Sequence, residues 1–202
     1  MAFLTCDDGT KLYYEEVGSG LPIVFVHEFA GDHRSWEPQV RYFSRNYRCI
    51  VFSARGYPPS DVPAKVESYS QVRATDDIMT IVAGLNLPSA HVVGLSMGAY
   101  ATLHLGLRYP TLVRSMVLAG CGWGSTPIKS DGPRQQAEAN ATLFETKGIA
   151  EAAEAYANVP MRWSFRKKDP RGWTEFLERL KGHSTQGAAL TMRGVQAQRP
   201  SR

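Results

Sequence analysis

The sequence predicts an α/β fold, with a mostly parallel sheet flanked by helices. Short apolar runs end at Val26, Phe52, Leu95 and Ala119, and segments with helical periodicity separate them. Such runs are typical of strands buried on both faces, and strands that alternate with helices form parallel βαβ units. Beyond residue 120 only helical patterns remain. We therefore expect a sheet core followed by a helical layer.

The first elements combine a hairpin with two buried strands. Residues 3–6 and 11–17 are strand-like and flank an Asp-Asp-Gly-Thr turn, which predicts an N-terminal antiparallel hairpin. Residues 23–26 and 49–52 predict buried strands, with a helix over 35–46 between them. After a loop at 53–61, Ser68 is the predicted N-cap of a helix that ends near Leu87. Asp76 and Asp77 are expected on the solvated face of that helix.

The remaining core elements are a strand at 91–95, a helix at 97–109 and a strand at 115–119. A Gly-rich link at 121–132 leads to helical patterns at 135–146, 149–158, 173–180 and 188–198. These patterns predict two regions, a core over residues 1–120 and a helical segment over residues 121–202. Strand 115–119 would form an exposed sheet edge, so self-association through this edge is expected.

Composition excludes several classes of protein. With 43% hydrophobic and 21% charged residues, the chain is globular rather than disordered, and no apolar run approaches the roughly 18 residues of a membrane span. The net charge of +4 is concentrated near the C-terminus, which carries no base-reading or stacking motif. Neither nucleic acid nor a membrane is therefore an expected partner. The absence of a basic, apolar leader and the odd number of cysteines predict a cytoplasmic protein.

One motif carries chemistry. Gly94-Leu95-Ser96-Met97-Gly98 matches G-x-S-x-G and lies between a buried strand and a helix. In that context the serine stands on a tight turn at the carboxyl edge of the sheet, and the glycines let the backbone bend. The alternative is a packing serine in a glycine-rich turn. We predict that Ser96 is a nucleophile.

A second loop is placed to stabilise an oxyanion. Residues 27–31, with the sequence His-Glu-Phe-Ala-Gly, follow the strand that ends at Val26. Parallel strands present their following loops at the same edge of the sheet. Backbone N–H groups of this loop are therefore expected near Ser96.

Together these residues resemble the α/β-hydrolase fold superfamily, in its serine hydrolase branch. The resemblance covers residues 1 to about 120 and includes residues 27–31, 32–36, 55–57, Ser60, Asp61 and the Ser96 turn. It implies Ser96 as nucleophile, the N–H groups of Phe29 and Met97 as the oxyanion hole, and Gly31, Gly94 and Gly98 as loop and elbow glycines. It also implies that the helices after residue 120 are a cap or lid, and that the substrate is a small molecule.

The chain departs from the family pattern at two points. Glu28 occupies a position that is usually glycine, and we expect its carboxylate to point to solvent or to a cation. In the family the acid and the histidine of the triad follow the cap, and this chain ends before them. It therefore resembles a C-terminally truncated fragment without the last core strands, and two further strand–helix units of about 30 residues each would be needed.

None of the histidines is a convincing substitute base. His91 and His104 lie about 16 Å and about 12 Å from the nucleophile along the strand and the helix. In the family His27 shapes its loop, and His33 is a weak candidate. His183 is expected at the surface of the helical segment, unless a cap folds over the site.

The expected function is a serine-dependent hydrolase that acts on a small ester, thioester, amide or activated C–C bond through an acyl-enzyme. Serine at the elbow argues against the dehalogenase and epoxide hydrolase branches of the fold, which place aspartate there. No cofactor is implied. The zinc motif H-E-x-x-H starts at His27 but has Gly31 in place of its second histidine, so no metal site is expected.

Two alternatives to this function remain open. One is an incomplete or degenerate family member without turnover, and the other is a non-catalytic ligand-binding or interaction protein on the same fold. Four aromatic residues of the helical segment either line an apolar acyl pocket or pack in its core. They are Trp123, Trp163, Phe165 and Trp173.

Overall fold

The structure is a computed structural model that describes residues 2–121 and 131–199. Its core is a six-stranded sheet with the order β1-β2-β4-β3-β5-β6. The strands are Ala2–Thr5 (β1), Lys11–Val17 (β2), Leu21–Val26 (β3), Tyr47–Phe52 (β4), Ala90–Leu95 (β5) and Val113–Ala119 (β6). The pairs β1–β2 and β2–β4 are antiparallel, and β4, β3, β5 and β6 pair in parallel. The predicted hairpin and parallel core are confirmed.

The helices alternate with the strands and continue after the sheet. They are Glu37–Phe43 (α1), Gln71–Gly84 (α2), Met97–Arg108 (α3), Gly132–Ala157 (α4), Trp163–Lys168 (α5), Pro170–Lys181 (α6) and Thr185–Thr191 (α7). A π-helical stretch over Met192–Gln196 continues α7. Within the two described ranges, no helix combines the length and the apolar character that crossing a membrane requires.

The predicted N-cap of α2 is wrong by two residues. Ser70 has extended backbone, with φ −156° and ψ 167°, and its side chain accepts a hydrogen bond from the Arg73 N–H. Ser68 instead lies in the 3₁₀ turn Val66–Ser68. An N-cap needs the extended conformation, and the sequence pattern does not distinguish the two serines on that basis.

Gly148 divides α4 into two helical stretches. Its φ of 71° lies in the left-handed region, where glycine meets no steric penalty, and the helix is kinked there. The predicted boundary between the helical patterns 135–146 and 149–158 falls at this residue.

Apolar side chains form three clusters, one of which joins the helical segment to the carboxyl edge of the sheet. Two clusters cover the faces of the sheet. The third packs Phe29, Tyr57 and Met97 from that edge against Phe144 of α4 and Leu180 of α6. The helical segment therefore shares a core with the surroundings of Ser96.

Asp77, which we expected on a solvated helix face, is buried in an ion pair. Its Oδ1 lies 2.6 Å from Nη2 of Arg55, and Nη1 of Arg55 lies 2.7 Å from Oδ2 of Asp8. Asp76 is the more exposed of the two and accepts a hydrogen bond from the Tyr109 hydroxyl. The Arg55 fork thus ties the loop after β4 to α2 and to the hairpin, which holds that loop beside the site.

Strand β6 forms an edge of the sheet within the described residues. It pairs with β5, and Met116 and Val117 on it are 38% and 53% exposed. Long apolar edges with free backbone groups favour pairing with another chain. Self-association through β6 remains a prediction.

Candidate active site

Ser96 occupies a strained turn between β5 and α3. Its φ of 52° and ψ of −110° lie where residues other than glycine are rarely found, and this conformation costs about 1–3 kcal/mol. Two hydrogen bonds hold the turn: Ser96 N–H donates to Ala119 O at 2.8 Å, and Tyr100 N–H donates to Ser96 O at 3.1 Å. The first bond ties the turn to the end of β6. Strain of this kind is the signature of a nucleophile elbow.

Gly94 and Gly98, on either side of Ser96, are needed for close packing and not for unusual backbone angles. Neither Gly94 nor Gly98 has a positive φ. A Cβ atom on Gly98 would lie 2.6 Å from the carbonyl oxygen of His27 and closer still to that of Val26. A Cβ on Gly94 would clash with the carbonyl oxygen of Gly98. The start of α3 therefore packs backbone to backbone on the end of β3, and this contact brings Ser96 to the following loop.

Hydrogen bonds fix the orientation of the Glu28–Phe29 peptide in the loop that follows β3, here called the β3 loop (residues 27–32). The Glu28 carbonyl accepts from His27 Nδ1 at 2.7 Å and from the Gly31 N–H at 3.0 Å. The Phe29 N–H, on the opposite side of this trans peptide, takes part in no hydrogen bond among the described residues. Met97 is the first residue of α3, where an N–H has no partner within the helix. Both N–H groups are therefore available as donors.

His27 is held neutral with a defined tautomer. Because Nδ1 bonds a carbonyl oxygen and Nε2 accepts from the Ala54 N–H at 3.0 Å, the proton belongs on Nδ1. Burial, opposed in part by the bond to the Glu28 carbonyl, lowers the pKa of His27 to about 4. Both nitrogens are occupied, so His27 links two loops and is not a free base.

The remaining histidines do not bond Ser96 either. His33 Nδ1 lies 2.9 Å from Ser53 Oγ, and burial lowers the pKa of this ring. His91 Nδ1 bonds Ser115 Oγ between β5 and β6, and the ring of His104 lies 4.9 Å from that of Tyr100. Over the described residues, no hydrogen bond joins any histidine to Ser96.

His183 was predicted at the surface, and that prediction is wrong. Its side chain is 3% exposed, and Nε2 lies 3.6 Å from Oδ2 of the fully buried Asp32, which is an ion-pair distance. The ring also meets Tyr57 edge to face at 5.3 Å. The sequence offered no signal for this contact, because 150 residues separate His183 from the β3 loop.

Glu28 points neither to solvent nor, within the described ranges, into an ion pair, the two directions that we expected. Its Oε2 is buried and has no hydrogen-bond partner among the described residues. The side chain folds back over Gly31, where a Cβ would lie 2.6 Å from Oε1. Burial raises the pKa of Glu28. The absence of a side chain at Gly31 leaves room for the carboxyl group.

Aromatic side chains from α4 cover the β3 loop. The ring of Phe29 lies 5.8 Å from Phe144 and 5.3 Å from Tyr156, neither of which we singled out in the sequence. Of the four aromatic residues that we expected either in a pocket or in a core, Trp163 is 59% exposed. Phe165 and Trp173 pack on each other and on Phe176, and position 123 lies outside the described residues. Phe144 and Tyr156, rather than those residues, are the aromatic neighbours of the loop.

Comparisons with known proteins show the family of this chain. The family model of the alpha/beta hydrolase fold matches residues 22–191. The chain belongs to this family. The α/β-hydrolase is 33% identical over 113 residues to Epoxide hydrolase 3 of Mus musculus, a match that covers 55% of this chain and 31% of that protein. It is 31% identical over 147 residues to 3-oxoadipate enol-lactonase 1 of Acinetobacter baylyi, covering 73% of this chain and 51% of that protein.

Solved structures show the same fold over nearly the whole chain. The enol-lactonase from Burkholderia xenovorans LB400 superposes with a TM-score of 0.83 at 22% identity, covering 97% of this α/β-hydrolase and 74% of that chain. The chain thus spans about a third to a half of the two curated relatives and about three quarters of this structure.

Proposed function

We propose that this α/β-hydrolase is a serine-dependent hydrolase that cleaves a small ester, thioester, amide or activated C–C bond through an acyl-enzyme. The observation that carries the proposal is the strained Ser96 turn, packed through Gly98 onto the β3 loop. A serine held in this way presents Oγ at the carboxyl edge of the sheet, close to unused backbone donors.

The proposed reaction begins with attack by Ser96 Oγ on the carbonyl carbon of the substrate. A base takes the hydroxyl proton, and the Phe29 and Met97 N–H groups stabilise the oxyanion of the tetrahedral intermediate. Collapse of the intermediate expels the protonated leaving group and forms the acyl-enzyme. Water then attacks the acyl carbon, and its proton returns to Ser96 as the acid product leaves.

The substrate class follows from the nucleophile and its surroundings. An enol-lactone, which the name of the Acinetobacter relative mentions, is a cyclic ester and suits acyl transfer to serine. The Mus musculus relative is an epoxide hydrolase. The serine at position 96 favours acyl chemistry here, because epoxide opening in this fold uses an aspartate. Phe29, Phe144 and Tyr156 make the adjoining surface apolar, which favours a small, partly apolar acyl group.

A second candidate is a ligand-binding protein without turnover. It is favoured by the absence, among the described residues, of a histidine bonded to Ser96. In this case the fold, the strained turn and the aromatic surface would bind a small molecule that is not cleaved.

A fluorophosphonate probe and a short p-nitrophenyl ester separate the two candidates. The hydrolase proposal expects labelling and turnover in the wild type, loss of both in Ser96→Ala, and no change in Ser164→Ala, which alters an exposed serine of α5. Folded wild-type protein that neither labels nor turns over the ester would refute the hydrolase and favour the binding protein.

A further inference from the structure

The contact between His183 and Asp32 links the helical segment to the β3 loop. Both side chains are almost completely buried, at 3% and 0% exposure, and the two atoms lie 3.6 Å apart. Hydrogen bonds hold the backbone on both sides of His183: its N–H donates to Leu180 O, and Ser184 Oγ accepts from the Gly187 N–H as the N-cap of α7. The turn between α6 and α7 therefore places His183 beside the loop.

Asp32 transmits its position to the rest of the loop. Its carboxylate accepts from the Arg34 N–H at 2.7 Å and pairs with the Arg34 guanidinium, and its own N–H donates to Ser35 Oγ. The Gly31 N–H donates to the Glu28 carbonyl. Gly31 precedes Asp32 in the chain, so a displacement of Asp32 would move Gly31 and, through its hydrogen bond, the Glu28–Phe29 peptide.

A second contact joins His183 to the loop through an aromatic ring. The Tyr57 ring that meets His183 edge to face also packs edge to face on His27, with ring centroids 4.8 Å apart. His183 of the helical segment thus reaches the loop at Asp32 directly and at His27 through Tyr57.

We propose that His183 is a positioning residue, which acts through Asp32 to hold the Phe29 amide in place beside Ser96. The inference rests on the proposed function, in which that amide stabilises the oxyanion. Loss of His183 would leave the buried Asp32 carboxylate without this neighbour and would let the loop shift. The variant would stabilise the transition state, where the oxyanion forms, less well, and its substrate binding would be unchanged.

The test compares His183→Ala, His183→Gln and the control His91→Ala, which removes a histidine between β5 and β6. Amide hydrogen exchange of residues 27–32, read by mass spectrometry, reports on the loop whether or not the chain turns over. Kinetics with a p-nitrophenyl ester give kcat and KM separately. We expect His183→Ala to speed exchange at least about tenfold and to lower kcat at least about tenfold with little change in KM. In His183→Gln, where the new side chain can donate to Asp32, most of the slow exchange and most of kcat should be restored. His91→Ala should match the wild type in both measurements.

Several results would overturn the proposal. They are unchanged exchange in His183→Ala, a Gln variant as impaired as the Ala variant, or an effect confined to KM. If His183→Ala does not fold, Asp32→Asn takes its place and must loosen the same residues. If the wild type shows no turnover, the hydrolase proposal fails, while the exchange data alone still confirm or refute the positioning role.

Discussion

The two sides of the candidate active site are held by different interactions. On the sheet side, backbone hydrogen bonds and close backbone contacts hold the Ser96 turn and the Glu28–Phe29 peptide. On the helical side, ring contacts of Phe144 and Tyr156 and the buried His183 cover the same loop. The sheet side is held by the backbone conformation of short segments. The helical side is held by contacts between side chains that are far apart in the sequence.

This difference predicts how each side responds to mutation. Backbone contacts tolerate no added atom, so a single methyl group should disrupt the sheet side. Contacts between side chains can relax, so changes on the helical side should shift rates, pH dependence and loop mobility by smaller amounts. The predictions below follow in order of decreasing expected size. Gly98→Ala and Glu28→Gln test this contrast, and the other two test the buried ion pair of Arg55 and the edge strand β6.

The largest effect is expected from Asp77→Ala, which removes the buried partner of Arg55. The guanidinium would lose its strongest neighbour in a site where both side chains are at most 4% exposed. We expect the free energy of unfolding to fall by about 3–5 kcal/mol, as measured by urea denaturation. Asp76→Ala, which alters the adjacent and more exposed carboxylate, should cost about 1 kcal/mol. Equal losses of unfolding free energy in the two variants would contradict the buried ion pair between Asp77 and Arg55.

Gly98→Ala tests the backbone contact on the sheet side. The new methyl group would meet the carbonyl oxygens of Val26 and His27 and push α3 away from β3. We expect the rate of Ser96 labelling by a fluorophosphonate to fall about a hundredfold, as a misplacement of about 1 Å can cause.

Gly106→Ala is the matched control in the same helix. Its methyl group would meet the flexible end of the Met116 side chain, which can move aside. Labelling in this variant should stay close to that of the wild type. A Gly98→Ala protein that labels as fast as Gly106→Ala would refute the close packing of the elbow.

Glu28→Gln tests the buried carboxyl group that folds over Gly31. Burial raises the pKa of Glu28, so the folded protein keeps this proton at pH values where the unfolded chain has lost it. Stability from this group is fully present below the ordinary glutamate pKa and is lost as pH rises through the raised value, by at most about 1.4 kcal/mol per pH unit.

Gln cannot ionise, so the variant should gain stability relative to the wild type as the pH rises above the ordinary glutamate pKa of about 4.3. Urea denaturation across this range measures the difference, and Glu67→Gln, at an exposed site, should show no such gain. A constant difference between Glu28→Gln and the wild type would show that the carboxyl group is solvated.

Val117→Lys on β6 is expected to leave the fold almost unchanged and to affect only self-association. This side chain is 53% exposed on the edge strand, and a charge there discourages pairing with another sheet. We expect light scattering to show oligomers of the wild type and a shift toward monomer in the variant. A stable wild-type monomer would contradict self-association through this edge.

The sequence by itself determined the strands, the order of strands and helices in the sheet core, and the turn that carries Ser96, whereas the short helix α5 was not predicted. These follow from local pattern, because apolar runs, turn residues and the G-x-S-x-G spacing each specify a short stretch of backbone. The prediction was wrong where the local pattern does not distinguish the alternatives, as for the N-cap of α2. Ser68 and Ser70 differ in backbone conformation and not in residue type.

The tertiary structure alone decided which polar groups are buried. Asp77 meets Arg55, Glu28 folds over Gly31, and His183 reaches Asp32 across 150 residues of sequence. Burial of a charged group depends on whether a partner or a covering element arrives from elsewhere in the chain. For this reason the Ser96 turn and the β3 loop could be predicted from short motifs, whereas the buried polar groups that pack against the loop could not.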